Sequence, residues 1–142
     1  MFRLDEGVDT GDILGQVEIM LHRSTTATEL YRAVTNAHTI LIEKYWKDIA
    51  EDTLNMTHQD ESRATEWEGR HPEDGELKPE MKIDEAERLV RAVTHPYPGA
   101  FYYERGKKIT IWKARKTMVK EEGSLGFVGG YLVPEEMEIE DR

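Results

Sequence analysis

The chain has 142 residues, of which 38% are hydrophobic and 34% charged, so we expect one polar domain with a modest core. The absence of cysteine excludes disulfides, thiolate catalysis and cysteine metal sites. A formal net charge of -10 disfavours nonspecific nucleic-acid binding, and neither a signal peptide nor an apolar run of the roughly 20 residues that span a bilayer is evident. We therefore expect a cytoplasmic protein that makes no contact with membranes.

The first 21 residues predict a turn-rich loop followed by a strand. Residues 1–12 hold several glycines and aspartates, which favour turns. Residues 13–21 then place apolar side chains roughly at every second position. This period predicts a strand with one buried face.

A long helix is predicted over residues 27–50. Thr26 and Glu29 match a capping box, in which the hydroxyl and the carboxylate each accept a backbone N–H. Apolar residues follow at spacings of three and four, which place them on one helical face. They are Leu30, Val34, Ala37, Leu41, Tyr45 and Ile49.

Residues 52–82 show no clear period, and His71-Pro-Glu-Asp-Gly75 is typical of a turn. A second helix follows, for which we expect Asp84 as the N-cap and Glu87 at the third position. Pro96 and Pro98 predict its end, because neither residue can continue a helix.

The remaining residues predict a small β region and a tail. The segment from Phe101 to Ala114 reads as a hairpin that turns at Arg105-Gly106, and a weaker strand signal spans residues 125–133. Residues 107–120 carry several lysines and arginines and could form a basic patch. The acidic residues 135–142 are expected to be a solvated or frayed tail.

The first candidate for chemistry is Asp9, in the segment Asp9-Thr-Gly-Asp12 just ahead of the predicted strand. A carboxylate in such a loop is placed to act at the edge of a sheet. As a bare tripeptide, Asp-Thr-Gly is equally ordinary turn material. It also occurs in the catalytic loop of aspartic proteases, but those need two copies and this chain has one.

Two further segments contain candidate binding residues. Between residues 91 and 101, two prolines bracket Tyr97 in a stiff loop that can hold Tyr97 or Arg91 against a ligand. The alternative for Arg91 is a surface ion pair. In residues 63–75, aromatic and basic residues alternate, so Trp67 could contact a nucleotide base. The alternative for Trp67 is packing on the core.

The order of these motifs resembles the folate-dependent formyltransferases, of the sugar-nucleotide or methionyl-tRNA type. Asp9-Thr-Gly-Asp-Ile-Leu-Gly-Gln16 looks like the aspartate segment of that family, and a long helix follows as it does there. Ala64-Thr65, with Arg70-His-Pro-Glu-Asp-Gly75, is similar to a second family segment. Arg91-Ala-Val-Thr-His-Pro-Tyr-Pro-Gly-Ala-Phe101 resembles the start of its C-terminal region. Together these segments cover about residues 5–116.

The resemblance implies an α/β fold. The expected architecture is the C-terminal portion of a Rossmann-like formyltransferase domain, with a strand, a long helix and a second helix, followed by a small β-hairpin region. Residues 1–82 would belong to the catalytic domain, residues 83–134 would form the second helix and the β region, and residues 135–142 would be the acidic tail.

The resemblance also implies a chemistry. Members of the family transfer a formyl group from 10-formyltetrahydrofolate to an amine with an asparagine, a histidine and an aspartate. Asp9 matches that aspartate, and Asp12, in the same segment, is expected to contact the folate. Arg91 could meet a phosphate of the acceptor, and Tyr97 or Trp67 could stack near its base.

The sequence departs from the family at its start. Only eight residues precede Asp9, so the family's asparagine and histidine segment has no counterpart here, and catalysis by this chain alone is not expected. The motif at residues 70–75 favours a nucleotide-linked amino sugar as acceptor. The alternatives are a methionyl-tRNA formyltransferase-like fragment, or a non-catalytic remnant or subunit that docks on a separate N-terminal half or forms a homo-oligomer.

Overall fold

The protein is described by a computed structural model that covers residues 1–141. Its contacts define two compact units. The first unit contains Met1–Leu21 and Tyr31–Glu68, and the second contains His22–Leu30 and the residues from Gly69 onward. Within residues 1–141, none of the helices combines the length and apolar character that crossing a membrane requires.

The long helix is confirmed as α1, Ala27–Glu51. Its predicted capping box is formed. The backbone N–H of Thr26 donates to the carboxylate of Glu29 at 2.8 Å, and the N–H of Glu29 donates to the hydroxyl oxygen of Thr26 at 3.2 Å. Of the predicted apolar stripe, Ala37 and Leu41 are buried.

The strand predicted at residues 13–21 is not formed. Ile13 forms isolated antiparallel bridges with Phe2 and Thr57, and the N–H groups of Leu14 and Gly15 donate to the Met1 carbonyl, but these contacts do not form a ladder. A strand needs a neighbouring backbone to accept and donate its hydrogen bonds. Within residues 1–141, that neighbour is lost after Gly15.

The second helix is α2, Ile83–Val93, and its predicted N-cap is wrong by two residues. Lys82 occupies the N-cap, and its N–H donates to the carboxylate of Glu85 at the third position. Asp84 lies in the first turn, where its carboxylate contacts Lys116 instead. The helix ends ahead of the prolines, as predicted.

The β region is a four-stranded antiparallel sheet, larger than the hairpin region that was expected. Its strands are β1 (Ala100–Glu104), β2 (Lys107–Thr117), β3 (Leu125–Phe127) and β4 (Gly130–Asp141), in the order β1-β2-β4-β3. The β1–β2 turn at Arg105 and Gly106 has φ angles of 49° and 79°, the left-handed conformation that tight hairpins favour. The α/β fold class is confirmed.

The acidic tail is not frayed, because it forms the second half of β4. It pairs with β2 from Lys113↔Glu136 to Lys107↔Asp141. Lys107 contacts Asp141 at 3.1 Å and Lys113 contacts Glu135 at 3.1 Å. The basic stretch and the acidic stretch therefore lie side by side, and opposite charges across neighbouring strands stabilise the pair.

The core of the second unit lies between α2 and the sheet. Ala86 and Val90 of α2 pack with Ala100, Ile111 and Leu132, which are all buried.

Residues 76–82 connect both edges of the sheet. The N–H of Leu77 donates to the Phe101 carbonyl at 2.7 Å, next to β1. At the other end, the N–H of Val128, in the β3–β4 turn, donates to the Met81 carbonyl at 3.0 Å. This segment bridges the edges of a curled sheet.

Candidate functional site

The aspartate loop, residues 5–12, is held by hydrogen bonds of its own polar groups. Asp5 accepts the N–H of Gly7 at 3.0 Å and the hydroxyl of Thr10 at 2.7 Å. The Thr10 hydroxyl holds the pKa of the Asp5 carboxyl below its usual value. A Cβ on Gly11 would lie 1.7 Å from the Arg3 carbonyl oxygen, so only glycine fits there. The loop therefore has a defined conformation.

Gln59 fixes the same loop from the other end of the first unit's sequence. Its side-chain amide nitrogen donates to the backbone carbonyl oxygens of Asp9 at 2.7 Å and of Gly11 at 2.6 Å. Both hydrogens of the amide can be used in this way. Sequence reasoning missed Gln59, because a contact across 50 residues leaves no local signal.

Asp9 is the member of the loop whose carboxylate remains available. Its φ is 57°, a left-handed conformation that is uncommon outside glycine and is enriched in aspartate. The residue is exposed, and within residues 1–141 its carboxylate has no hydrogen-bond or ion-pair partner. Asp5 and Asp12, by contrast, are both engaged.

Asp12 lies between two basic side chains. Its carboxylate contacts the guanidinium of Arg3 at 2.9 Å through one oxygen and Nδ1 of His58 at 3.0 Å through the other. Both oxygens are therefore occupied. The folate-binding role of Asp12 stays a prediction, and a folate donor group would have to replace or share one of these contacts.

Trp67 is 87% exposed, so the alternative in which it packs on the core is wrong. No hydrogen bond or ring contact connects it to the aspartate loop within residues 1–141. Its role at a nucleotide base stays a prediction.

Arg91 and Tyr97 lie in the second unit, whereas Asp9, Asp12 and Trp67 lie in the first. Arg91 contacts the carboxylate of Glu87 at 2.6 Å and donates to the Thr25 carbonyl at 2.9 Å. This ion pair is the alternative that the sequence left open. Tyr97 is 50% exposed, and its backbone N–H donates to the Thr94 carbonyl at 3.1 Å. Their substrate-binding roles stay predictions.

The proline loop, residues 94–99, is anchored to β2 by contacts that the sequence did not predict. The ring of His95 stacks on Trp112, with centroids 3.9 Å apart and planes 13° apart. The hydroxyl of Thr94 donates to the Trp112 carbonyl at 2.9 Å. Gly99 has a φ of 85°, and a Cβ there would lie 2.4 Å from the Thr110 methyl group. The loop can lie this close to β2 only because residue 99 has no side chain.

The motif at residues 70–75 packs against the same loop. The N–H of His71 donates to the Asp74 carboxylate at 2.9 Å, which caps the short 3-10 helix Pro72–Gly75. A Cβ on the buried Gly75 would lie 2.8 Å from the Gly99 carbonyl oxygen. Residues 70–75 and the proline loop, two of the motifs that carry the family resemblance, therefore contact each other at Gly75 and Gly99. The close packing explains why both positions are glycine.

Comparison with known proteins matches most of the second unit to one family. Residues 70–134 match the family model described as the formyl transferase C-terminal domain. Over 115 residues the chain is 30% identical to the bifunctional polymyxin resistance protein ArnA of Wigglesworthia glossinidia brevipalpis. The match covers 81% of this chain and 18% of that protein, so the chain spans less than a fifth of this curated relative.

Solved structures share the fold at low identity. Methionyl-tRNA formyltransferase from Clostridium thermocellum superposes with a TM-score of 0.67 and 20% identity, over 99% of this chain and 55% of that one. HypX from Aquifex aeolicus in complex with tetrahydrofolic acid gives a TM-score of 0.75 and 18% identity, over 96% of this chain and 26% of that one. This chain therefore corresponds to part of a longer architecture in both structures.

Proposed function

We propose that this chain takes part in the transfer of a formyl group to an amine. The premise is that the chain belongs to the formyltransferase family and carries its C-terminal domain. The donor is 10-formyltetrahydrofolate and the acceptor is a nucleotide-linked amino sugar. The observation that carries the proposal is the aspartate loop, in which Asp9 alone among the three aspartates keeps an unengaged carboxylate.

Asp9 would manage the proton of the acceptor amine. A neutral amine attacks the formyl carbon and must lose a proton as the new C–N bond forms, while the bond from the formyl carbon to the donor nitrogen breaks. A carboxylate near the amine can orient a histidine or accept that proton. A loop fixed by Gln59 and Asp5 holds the carboxylate in place before the substrate arrives.

The folate supplies the formyl group, and Asp12 offers a partly engaged carboxylate for it. Asp12, the predicted folate contact, already uses both oxygens. Each oxygen can accept a second hydrogen bond, so a folate donor group would share Asp12 with Arg3 or His58.

The charge pattern favours an amino sugar over tRNA as acceptor. A tRNA-binding surface needs free cations to contact phosphates. Four of the five cations of β2 form ion pairs instead. Lys107 and Lys113 pair with β4, and Arg115 and Lys116 pair with Glu121 and Asp84. A methionyl-tRNA acceptor is the competing assignment, supported by the fold shared with the Clostridium enzyme.

An exposed apolar stripe on α1 favours a role as one part of an assembled enzyme. Tyr31, Ile42, Trp46 and Ile49 are exposed, and their spacing places them on one helical face. An exposed apolar stripe of this kind marks a surface that packs against another chain or domain. A formyltransferase N-terminal segment, in the same polypeptide or in another chain, would supply the asparagine and the histidine that the chemistry uses. A purely non-catalytic subunit is the second candidate.

The test is a reconstitution assay. The chain is incubated with 10-formyltetrahydrofolate and a nucleotide-linked 4-amino or 3-amino sugar, with and without a formyltransferase N-terminal half. We expect the formylated sugar, identified by mass spectrometry, only when both parts are present. Formylation of methionyl-tRNA in place of the sugar would contradict the assignment of an amino sugar as the acceptor. A complex that assembles but never formylates any amine would support the non-catalytic subunit.

A further inference from the structure

The second half of β4 has one edge that no strand covers. Its partner β3 pairs only with Gly130–Leu132, whereas β4 continues to Asp141. Within residues 1–141, no strand or loop pairs with residues 133–141 on that side. An uncovered edge has a row of free N–H and C=O groups that can pair with another extended chain.

Apolar side chains follow this edge on the inner face of the sheet. Met137 and Ile139 are each 54% exposed, although their β2 partners Ile111 and Ile109 are buried. Directly paired residues point to the same face. The inner apolar face therefore extends past the end of β3 and is left open to solvent.

Carboxylates follow the same edge on the other face. Glu136, Glu138 and Glu140 are exposed, and no cation pairs with them within residues 1–141. Lys107 and Lys113 contact Asp141 and Glu135 instead, and Lys108 lies 4.7 Å above the Phe101 ring. The free edge thus offers apolar contacts on one face and unneutralised negative charge on the other.

We propose that the free edge of β4, residues 133–141, binds an extended basic segment of a partner protein by strand addition. Backbone hydrogen bonds would hold the segment, while alternate side chains give the selectivity. Apolar residues of the segment would cover Met137 and Ile139, and lysines or arginines between them would face Glu136, Glu138 and Glu140. A second copy of this chain fits poorly, because two acidic edges repel each other. The family match ends at residue 134, so the acidic part of the edge, from Glu135 onward, lies outside the matched domain.

The test uses the full chain and short fluorescent peptides in a fluorescence anisotropy titration. A peptide that alternates lysine and valine should bind, and binding should weaken as salt rises. A peptide that alternates glutamate and valine should not bind. The lysine peptide with fully N-methylated backbone amides keeps its charge but cannot donate backbone hydrogen bonds, so it should also fail.

Matched variants locate the site. Neutralising the edge in E136Q/E138Q/E140Q should weaken lysine-peptide binding by about tenfold or more. The control E66Q/E68Q/E80Q removes the same charge from exposed glutamates elsewhere and should change binding little. Reversing the edge in E136K/E138K/E140K should transfer the preference to the glutamate peptide. Circular dichroism of each variant shows whether it is folded.

Three results would overturn the proposal. One is equal binding of the N-methylated peptide, which would mean charge attraction without strand addition. Another is equal loss of binding in the control variant. The third is a stable dimer of the chain, measured by sedimentation, that the E136K/E138K/E140K variant abolishes, which would mean that a second copy covers the edge.

Discussion

The side-chain amide of Gln59 donates a hydrogen bond of 2.7 Å to the backbone carbonyl oxygen of Asp9. The two residues are 50 positions apart in the sequence. The same amide nitrogen also reaches the Gly11 carbonyl. One side chain therefore fixes the backbone on both sides of Thr10 and sets the position of the Asp9 carboxylate.

Replacing Gln59 with leucine should loosen the aspartate loop with little effect on the rest of the fold. We expect a loss of about 1 kcal/mol in the free energy of unfolding, because one of the lost hydrogen bonds is exposed and the other is only partly buried. Hydrogen exchange of the amides of residues 9–13 should become faster. Gln16→Leu, at an exposed glutamine without a hydrogen bond in the described chain, should leave both quantities unchanged, and an equal effect there would contradict the assignment.

Gly99→Ala should destabilise the second unit more than the same substitution does at other glycines with a positive φ. The new Cβ would lie 2.4 Å from the Thr110 methyl group and 2.8 Å from the Trp112 ring. We expect the usual left-handed cost of about 1–2 kcal/mol plus about 1–3 kcal/mol from overpacking.

The control for this prediction is Gly123→Ala, at a φ of 73° with open space around the new Cβ. Its free energy of unfolding should fall only by the amount that alanine loses in a left-handed backbone conformation. Equal destabilisation of the two variants in urea denaturation would mean that the packing of the proline loop on β2 is not as tight as described.

Glu121→Gln should change the stability of the protein in a pH-dependent manner. The hydrogen bond from Arg115 lowers the pKa of the Glu121 carboxyl below its usual 4.5. A lowered folded-state pKa contributes stability above the unfolded pKa, and that contribution is lost as the pH falls through the folded value. The wild type should therefore exceed the variant in stability near neutral pH, and the difference should shrink in acid below pH 4.5.

The neighbouring Glu122 provides the control for Glu121, since it is exposed and has no ion pair in the described chain. Urea midpoints of Glu122→Gln should follow the wild type across the acid range. A difference between wild type and Glu121→Gln that stays constant with pH would show that the ion pair does not affect the titration of Glu121.

The sequence was most informative where its signals are local. The capping box at Thr26 and Glu29, the Arg105-Gly106 turn and the prolines after α2 each act within a few residues, and all three predictions are confirmed. Helix caps and tight turns depend on nearby side chains and backbone angles.

The sequence was misleading where structure depends on a distant partner. The alternating residues 13–21 have no backbone partner after Gly15 in the described chain, so their period produces no ladder. The acidic end becomes ordered because a basic strand lies beside it, and neither stretch shows this alone. Asp84 looked like an N-cap, but its carboxylate contacts Lys116 across 32 residues.

The candidate site shows the same division between local signals and long-range contacts. The motif match identified Asp9 as a candidate and also predicted the α/β fold class. The Gln59 contact and the two occupied oxygens of Asp12 are long-range features that only the structure supplies. The roles of Asp9, Asp12, Trp67, Arg91 and Tyr97 stay predictions.

The most direct measurement is the turnover of the reconstituted formyltransferase with Asp9→Asn, beside Glu6→Gln as an exposed acid of the same loop. We expect the asparagine variant to assemble normally with the N-terminal half and to lose about a hundredfold or more in kcat. Glu6→Gln should keep wild-type turnover. An Asp9→Asn enzyme that formylates the amino sugar at the wild-type rate would show that the Asp9 carboxylate has no part in the transfer.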